Sequence, residues 1–269
     1  MEIAVVFVIY NRALDDSETA QALQSLSDAP ERIVVYDNSE REFGNRQRCD
    51  ELGWRYLGCG KNVGLPRAYN ACIDALKAEE FGGVVAIFDD DTHISSDYFP
   101  ALRQAASMRS VQLFFPILLA GEKIVSPQVI HPNQHAEFYD SKEACLASDG
   151  TDRFAFNSGM AMRMSVFQRL RYNERLFLDG VDYAFLRDCY QQGMTAEVLP
   201  VTMEHGFSGA QRPDYTSALA RFRHYAADFS IVLADNPKGY RYLVGKRALH
   251  LALIYKKFTF LRVFRHPGR

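Results

Sequence analysis

Apolar and polar positions switch between two periods along the first hundred residues. Residues 3–10 are a continuous apolar run, the pattern of a strand buried on both faces. Residues 17–26 take helical spacing behind Ser17, whose side chain can accept from the free N–H groups of a helix start. Residues 32–36 form a second strand that enters the turn-forming Asp37-Asn38-Ser39, and residues 54–57 form a short third. After the Gly58-Cys59-Gly60 break, residues 65–78 read as a helix with Pro66 in its first turn, where a missing N–H costs nothing. Residues 84–88 form a fourth strand and end on Asp89, Asp90 and Asp91. The β-α-β alternation predicts a parallel sheet with helices on both faces.

The second half is less regular. A strand is expected over 111–119, then a polar stretch to about 153 shows no clear period. Helices are expected over 165–170 and 181–192, the second stopped by Gly193, and a strand over 195–201. Two long helical patterns follow, over 214–234 and 240–264. No internal repeat or low-complexity segment interrupts the chain.

With 269 residues, 48% hydrophobic and 24% charged, the chain suits one large globular domain, or one domain with an appendage. The net charge of −2 points to no nucleic-acid partner, but its distribution is uneven. Residues 237–269 carry nine Lys/Arg and no Asp or Glu; removing those nine from −2 leaves the first 236 residues at −11. Within this tail, Leu243, Val244, Leu249, Leu251, Ile254, Phe258, Phe260, Leu261 and Phe264 interleave with the basic residues. A basic amphipathic helix of this kind reads as a membrane-surface element, or as a helix packed on the body or used in oligomerisation. The five cysteines are odd in number and scattered, which favours reduced thiols in a cytoplasmic protein over a disulfide or zinc framework. No basic leader precedes the first strand, and no apolar run nears the roughly 18 residues of a bilayer span.

Three adjacent carboxylates at the end of a buried strand repel one another, and open α/β sheets bind ligands outside the carboxyl ends of their strands. A hard divalent cation bridging to substrate phosphates is the natural counter-charge; a solvated acidic turn is the plain alternative. Other segments join the triplet in order: Val8-Ile9-Tyr10-Asn11-Arg12, Asp37-Asn38-Ser39, Lys61-Asn62-Val63-Gly64, Asn157-Ser158-Gly159, Leu178-Asp179-Gly180-Val181-Asp182 and Glu204-His205-Gly206. In this order and spacing the chain resembles the family 2 glycosyltransferases of the GT-A fold, and within them the rhamnosyltransferase-like branch.

The resemblance implies an α/β GT-A nucleotide-diphospho-sugar transferase fold, with a mixed, mainly parallel central sheet flanked by helices. It implies a catalytic domain over 1–210, with a nucleotide-binding half of about 1–92 and an acceptor half of about 93–210, and a basic helical extension over 211–269. An inverting transfer of a hexosyl or deoxyhexosyl residue from a UDP- or dTDP-sugar is expected, with Mn²⁺ or Mg²⁺. The acceptor is expected to be a glycan or lipid-linked saccharide of bacterial surface polysaccharide synthesis, met in the cytoplasm or at the inner face of its membrane.

By position in the motifs, Asp91 is the metal ligand, Asp89 contacts ribose or metal, and Asp90 lies between them. Asp37 is expected to hold the nucleobase or ribose, or else to close an Asx-turn. Asn11 and Arg12 line the same pocket, and Tyr10 flanks the base or belongs to the core. Lys61, Asn62 and Gly64 open a helix whose N–H groups suit an anion, with Arg67 one turn in, or else they form a solvated cap. Asn157, Ser158 and Gly159 border donor sugar and acceptor, or else form a simple turn. Asp182 is the catalytic base by family position; in the bland reading Asp179 caps a helix and Asp182 merely sits in its first turn. His205 completes the metal site or touches the diphosphate, with Glu204 as alternative. Arg212, Arg221 and Arg223 are diphosphate contacts or surface charges. Two other readings are a sugar-phosphate nucleotidyltransferase, whose Gly-rich loop is missing after the first strand, and a non-catalytic nucleotide-sugar- or glycan-binding protein.

Overall fold

The computed structural model describes residues 1–108, 110–148, 153–204 and 213–267. The elements run β1 (Ile3–Ile9), α1 (Glu18–Ser25), β2 (Arg32–Asp37), α2 (Asn45–Leu52), β3 (Arg55–Gly58), α3 (Leu65–Ala78), β4 (Val84–Asp89) and α4 (Tyr98–Ala105). They continue with β5 (Leu113–Ala120), β6 (Lys123–Ser126), β7 (Gln128–Ile130), β8 (Ala136–Phe138), α5 (Lys142–Ala147), β9 (Arg153–Phe154), β10 (Met160–Arg163) and α6 (Met164–Arg169). Last come α7 (Val181–Gln191), β11 (Ala196–Glu204), α8 (Tyr215–Val232), α9 (Pro237–Tyr255) and α10 (Thr259–Arg265).

The main sheet has the order β11-β5-β10-β4-β1-β2-β3, with β6 added on β5; β8-β7-β9 form a small second sheet. β1 pairs in parallel with both β2 and β4, whereas β10 runs antiparallel between β4 and β5. This is the mixed, mainly parallel α/β sheet that the family resemblance implies; the antiparallel β10 departs from the wholly parallel sheet of the strand pattern. The seven residues of β1 are all buried because the sheet is covered twice. Side chains alternate across a strand, so Ala4, Val6 and Val8 enter one core with α3 and α7. Ile3, Val5, Phe7 and Ile9 enter the other with α1 and α4. A third cluster joins α8, α9 and α10 through Phe222, Ala226, Val244, Ala248 and Phe260.

The chain steps from β1 to β2 and β3 on one side and to β4 on the other. The crevice at the carboxyl ends of β1 and β4 is therefore the place where such a sheet leaves room for a ligand. Register sets Asp37 opposite Ile9 and Asp89 opposite Val8, so both carboxylates emerge beside the end of β1.

Some elements differ from the pattern-based expectation. α2 is a helix without an apolar stripe, burying only Asn45 and Cys49. The single long helix expected over 240–264 is two helices, broken at Lys256, which takes a left-handed φ of 52° and ends α9. No helix among the described residues is long and apolar enough to cross a membrane. All five cysteines are free thiols.

Candidate functional site

The acidic triplet is pinned from behind by the start of α1. Ser17 caps that helix by accepting from Ala20 N–H, and its hydroxyl donates to the Asp90 carbonyl at 2.7 Å. Thr19 donates to the Asp89 carbonyl at 2.5 Å. The three carboxylates then diverge. Asp89 accepts a short hydrogen bond from Ser158 Oγ. Asp90 turns towards Arg12, whose Nε lies 3.5 Å from its Oδ2. Burial pushes the Asp90 carboxyl up to about 6; Arg12 opposes the shift and Asp91 adds to it. Asp91 is half-buried and, among the described residues, meets no hydrogen-bond or ion-pair partner.

Around the base-binding pocket expected at β1 and β2, the residues are occupied with one another. Asp37 accepts from Ser39 N–H at 3.0 Å, closing the Asx-turn, and from Asn45 Nδ2 at 2.8 Å. Asn11, at φ 51°, donates its N–H to Ser39 Oγ at 2.8 Å. Tyr10 is 48% exposed, which removes the core alternative for it.

The segment 61–64 does not form the anion cradle expected of it. Val63 N–H is taken by Asn38 Oδ1 at 2.7 Å and Gly64 N–H by Asn62 Oδ1 at 3.0 Å. Leu65 N–H donates to the Phe177 carbonyl at 2.8 Å, and Pro66 has no N–H to offer. Gly64 sits so close to Phe177 that a Cβ there would meet its carbonyl oxygen at 2.7 Å. The segment is a clasp between β2, α3 and the chain before α7. Lys61 is exposed, and Arg67 lies 3.8 Å from Glu174, pointing its charge towards that partner.

Of the 157–159 segment, Asn157 lines a cavity. Ser158 is fully buried and acts on Asp89 instead of reaching a ligand directly. Gly159, at φ 82°, is packed so tightly that a Cβ would come 2.5 Å from Met203 Cε, and its carbonyl accepts from Tyr98 Oη at 2.6 Å. Direct ligand contact by Ser158 and Gly159 is thus replaced by support of the sheet end. Asn157 Oδ1 is buried without a hydrogen-bond partner.

That cavity, of about 630 Å³, is lined by Asp89, Asn157 and Asp182 together, with Asp179, Arg221 and Arg247 on its wall. Asp182 is half-buried in the first turn of α7 and accepts from Tyr183 N–H at 2.8 Å. Burial pushes its carboxyl up to about 6, with the negative charge of Asp89 adding to the shift. Asp179 caps nothing: Gly180 holds the N-cap position in a left-handed conformation. Asp179 instead forms a two-pronged ion pair with Arg221, whose Nη2 reaches Oδ1 at 2.7 Å.

Asp228 on α8 belongs to none of the sequence motifs. It is 2% exposed and accepts from three successive backbone N–H groups, those of Phe177, Leu178 and Asp179, each at 2.8 Å. It thereby fixes the approach to Asp182. A signal was present: Asp228 lies on the same helical face as Tyr225 and Val232, and an acid among buried apolar neighbours needs donors.

For a divalent cation, the donor set is two hard carboxylates, Asp89 and Asp91, the second without a partner among the described residues. Among the described residues no group of three or more His, Cys, Asp or Glu side chains forms a complete cage. Two hard carboxylates are the oxygen donors that a cation such as Mg²⁺ or Mn²⁺ takes while keeping waters and sharing substrate phosphates. His205 and Arg212 lie outside the described residues. Glu204 lines a separate groove with Glu18 and His93, away from Asp182, and Arg223 is exposed.

The model of the glycosyl transferase family 2 matches residues 4–171, more than half of the chain. No curated protein matches it. Among solved structures the chain is similar to GalNAc-T7 with UDP, GalNAc and Mn²⁺, at TM-score 0.63 and 12% identity, covering 100% of this chain and 58% of that one. This chain thus spans less than two thirds of that relative. It is also similar to glucosyl-3-phosphoglycerate synthase from Mycobacterium tuberculosis with Mn²⁺, UDP and phosphoglyceric acid, at TM-score 0.55 and 16% identity, covering 86% and 78% of the two chains. A third is S. aureus TarS with UDP-GlcNAc, at TM-score 0.54 and 12% identity, covering 94% and 73%. At these identities the structural likeness establishes the GT-A fold alone, while the family match runs from β1 to α6 and includes the acidic triplet: the chain belongs to glycosyl transferase family 2.

Proposed function

We propose that this protein is an inverting, metal-dependent glycosyltransferase that moves a hexosyl or deoxyhexosyl residue from a UDP- or dTDP-sugar to a hydroxyl of a glycan or lipid-linked acceptor. The observation that carries the reading is that Asp89 and Asp182 line one cavity, from separate elements. Asp89 and Asp91 would hold the cation, which supplies Lewis-acid stabilisation of the departing diphosphate. Asp182 accepts the proton of the acceptor hydroxyl as its oxygen bonds to the anomeric carbon; the bond from that carbon to the diphosphate oxygen breaks, and the electron pair leaves with the nucleotide. A carboxyl near 6 is ionised at neutral pH yet basic enough to share a proton, which suits that task. Arg12 offsets the charge of Asp90, and Ser158 sets the orientation of Asp89.

The resemblance to the rhamnosyltransferase-like branch supports a role in bacterial surface polysaccharide synthesis. The exposed Tyr242, Leu249, Leu253 and Phe258 among Lys246, Lys256 and Lys257 support contact of α9 and α10 with an anionic membrane surface. The test of the core reading is release of UDP or dTDP from a panel of nucleotide sugars with Mn²⁺. Release that EDTA and Asp91→Asn both abolish is expected. Release that survives both, or full activity in Asp182→Asn, overturns it.

A further inference from the structure

The cavity that holds Asp182 is closed on one side by the C-terminal helices, and this wall contributes two cations, Arg221 and Arg247. They are not equivalent. Arg221 is neutralised by its two-pronged pair with Asp179. Arg247 has no carboxylate partner among the described residues; its guanidinium carbon lies 4.1 Å from the ring centroid of buried Tyr225. The Tyr225 contact, through its ring and its hydroxyl, fixes the guanidinium while leaving further N–H groups at its edge to donate. Phe154, Leu178, Phe229 and Leu243 line the surrounding wall, and apolar walls strengthen any charge contact made there.

We propose that Arg247 is the anion-binding side chain of the acceptor subsite, so that the acceptor carries an oxyanion, a phosphate or carboxylate, as well as its reacting hydroxyl. The word acceptor rests on the transferase reading above; the anion site itself does not. A planar fork with several N–H donors matches an oxyanion in two-pronged geometry, whereas a neutral sugar hydroxyl uses only one of them. The donor diphosphate has its own place at the acidic triplet, where Asp89 and Asp91 would share a cation with it. Arg247 is on α9, and its neighbours in the cavity are Tyr225 and Leu243 of the C-terminal helices. Asn157 Oδ1, buried on the same cavity without a partner, adds the complementary feature, an acceptor for a ligand hydroxyl. A ligand with hydroxyls at one end and an oxyanion at the other satisfies both.

Calorimetric titration of the full chain at low ionic strength tests this with three probes on one three-carbon skeleton: glycerol 3-phosphate, D-glycerate and glycerol. At least one anion is expected to bind the wild type tenfold or more tightly than glycerol, and which anion does so tells phosphate from carboxylate. Arg247→Met is expected to weaken that binding by about tenfold or more, the range of a charge-assisted hydrogen bond, while the affinity for UDP with Mn²⁺ stays within about twofold. Equal anion affinity in Arg247→Met and wild type overturns the proposal, as does a wild type that binds neither anion better than glycerol. A variant that loses UDP–Mn²⁺ binding but keeps the anion overturns it too, by moving Arg247 to the donor. Should Arg247→Met fail to fold, Arg247→Lys decides: it keeps the charge and loses the fork, and an unchanged anion affinity overturns the proposal where a severalfold loss supports it. A wild type that binds the anion through Arg247 but releases no nucleotide from any sugar donor refutes the transferase reading alone.

Discussion

Asp182 is costly to hold where it is. Its carboxyl sits near 6 in the fold against 3.8 for a free side chain, because burial strips it of water and Asp89 lies in its field. The folded state therefore binds the proton more tightly. The carboxyl favours the fold fully below about pH 4, and that contribution is lost as pH rises through about 6. At pH 7.5 the ionised group weighs against folding, so Asp182→Asn is expected to stabilise the protein by about 1–2 kcal/mol, or a few degrees in melting temperature. The amide oxygen can still accept from Tyr183 N–H. The same variant should lose about 10²–10⁴ in kcat. The gain in melting temperature should vanish below about pH 4, and the wild-type kcat/KM should fall about tenfold per pH unit below 6. A variant that is inactive but no more stable at pH 7.5 would contradict the burial account; a profile flat from pH 5 to 8 would remove Asp182 as base. Ser158 offers a second test at this scale. It touches Asp89 and is fully buried, so Ser158→Ala should weaken Mn²⁺ binding about tenfold by removing the hydroxyl that helps orient that carboxylate. Mn²⁺ titration by electron paramagnetic resonance reads this without turnover, and an unchanged affinity would sink the assignment.

At the scale of elements, α8 controls the chain that leads into α7. Three backbone N–H groups converge on the buried Asp228 carboxylate, so Asp228→Ala should cost on the order of 3–5 kcal/mol in denaturant unfolding. Asp228→Asn keeps the shape but turns a donor towards those N–H groups; it should lower kcat with little change in UDP affinity, and unchanged kinetics would show that the clamp does not serve the site. What the sequence made legible follows from the strength of each local signal. α3 was read with its bounds intact because Pro66 and a continuous apolar face mark it. α2 was not, since its charged residues face solvent and its stability comes from Asn45, which bonds Asp37 and Leu14 N–H across the fold. The 61–64 segment looked like an anion cradle because a helix N-terminus is visible in sequence, whereas Asn38 and the Phe177 carbonyl, which occupy its N–H groups, are distant in sequence. The tail was read correctly as helical and basic, but Lys256 shows no breaker chemistry and the division into α9 and α10 was missed. On α9, Leu249 and Leu253 are 53% and 70% exposed, and Phe258 beyond it is 79% exposed. Replacing all three with Ser should abolish pelleting with anionic vesicles at low salt while leaving the fold intact by circular dichroism. Equal pelleting of variant and wild type would remove the membrane-surface role.

At the scale of the whole molecule, the division into a catalytic body and an appended helical tail meets a physical obstacle. α8 supplies Asp228 to the loop before α7 and Arg221 to Asp179, so the helical segment completes the site. α8 in turn is covered by α9 and α10: Phe222 and Ala226 are buried against the cluster that contains Val244, Ala248, Phe260 and Val263. A chain ending at Asn236 exposes that face, and a bared apolar face of this kind promotes association and loosens the helix. Each large side chain uncovered forfeits about 1.5–3 kcal/mol, a substantial part of the stability of an ordinary domain. The full chain is therefore expected to melt in one transition, and the chain ending at Asn236 to melt at least about 10 °C lower, with UDP release falling in parallel. A truncated chain that keeps both its melting temperature and its activity would show that the tail is an appendage after all, and would place the support of Asp182 entirely within the α/β body. Loss of activity at an unchanged melting temperature would instead mark the tail as substrate-binding surface, the part that Arg247 plays in the cavity wall.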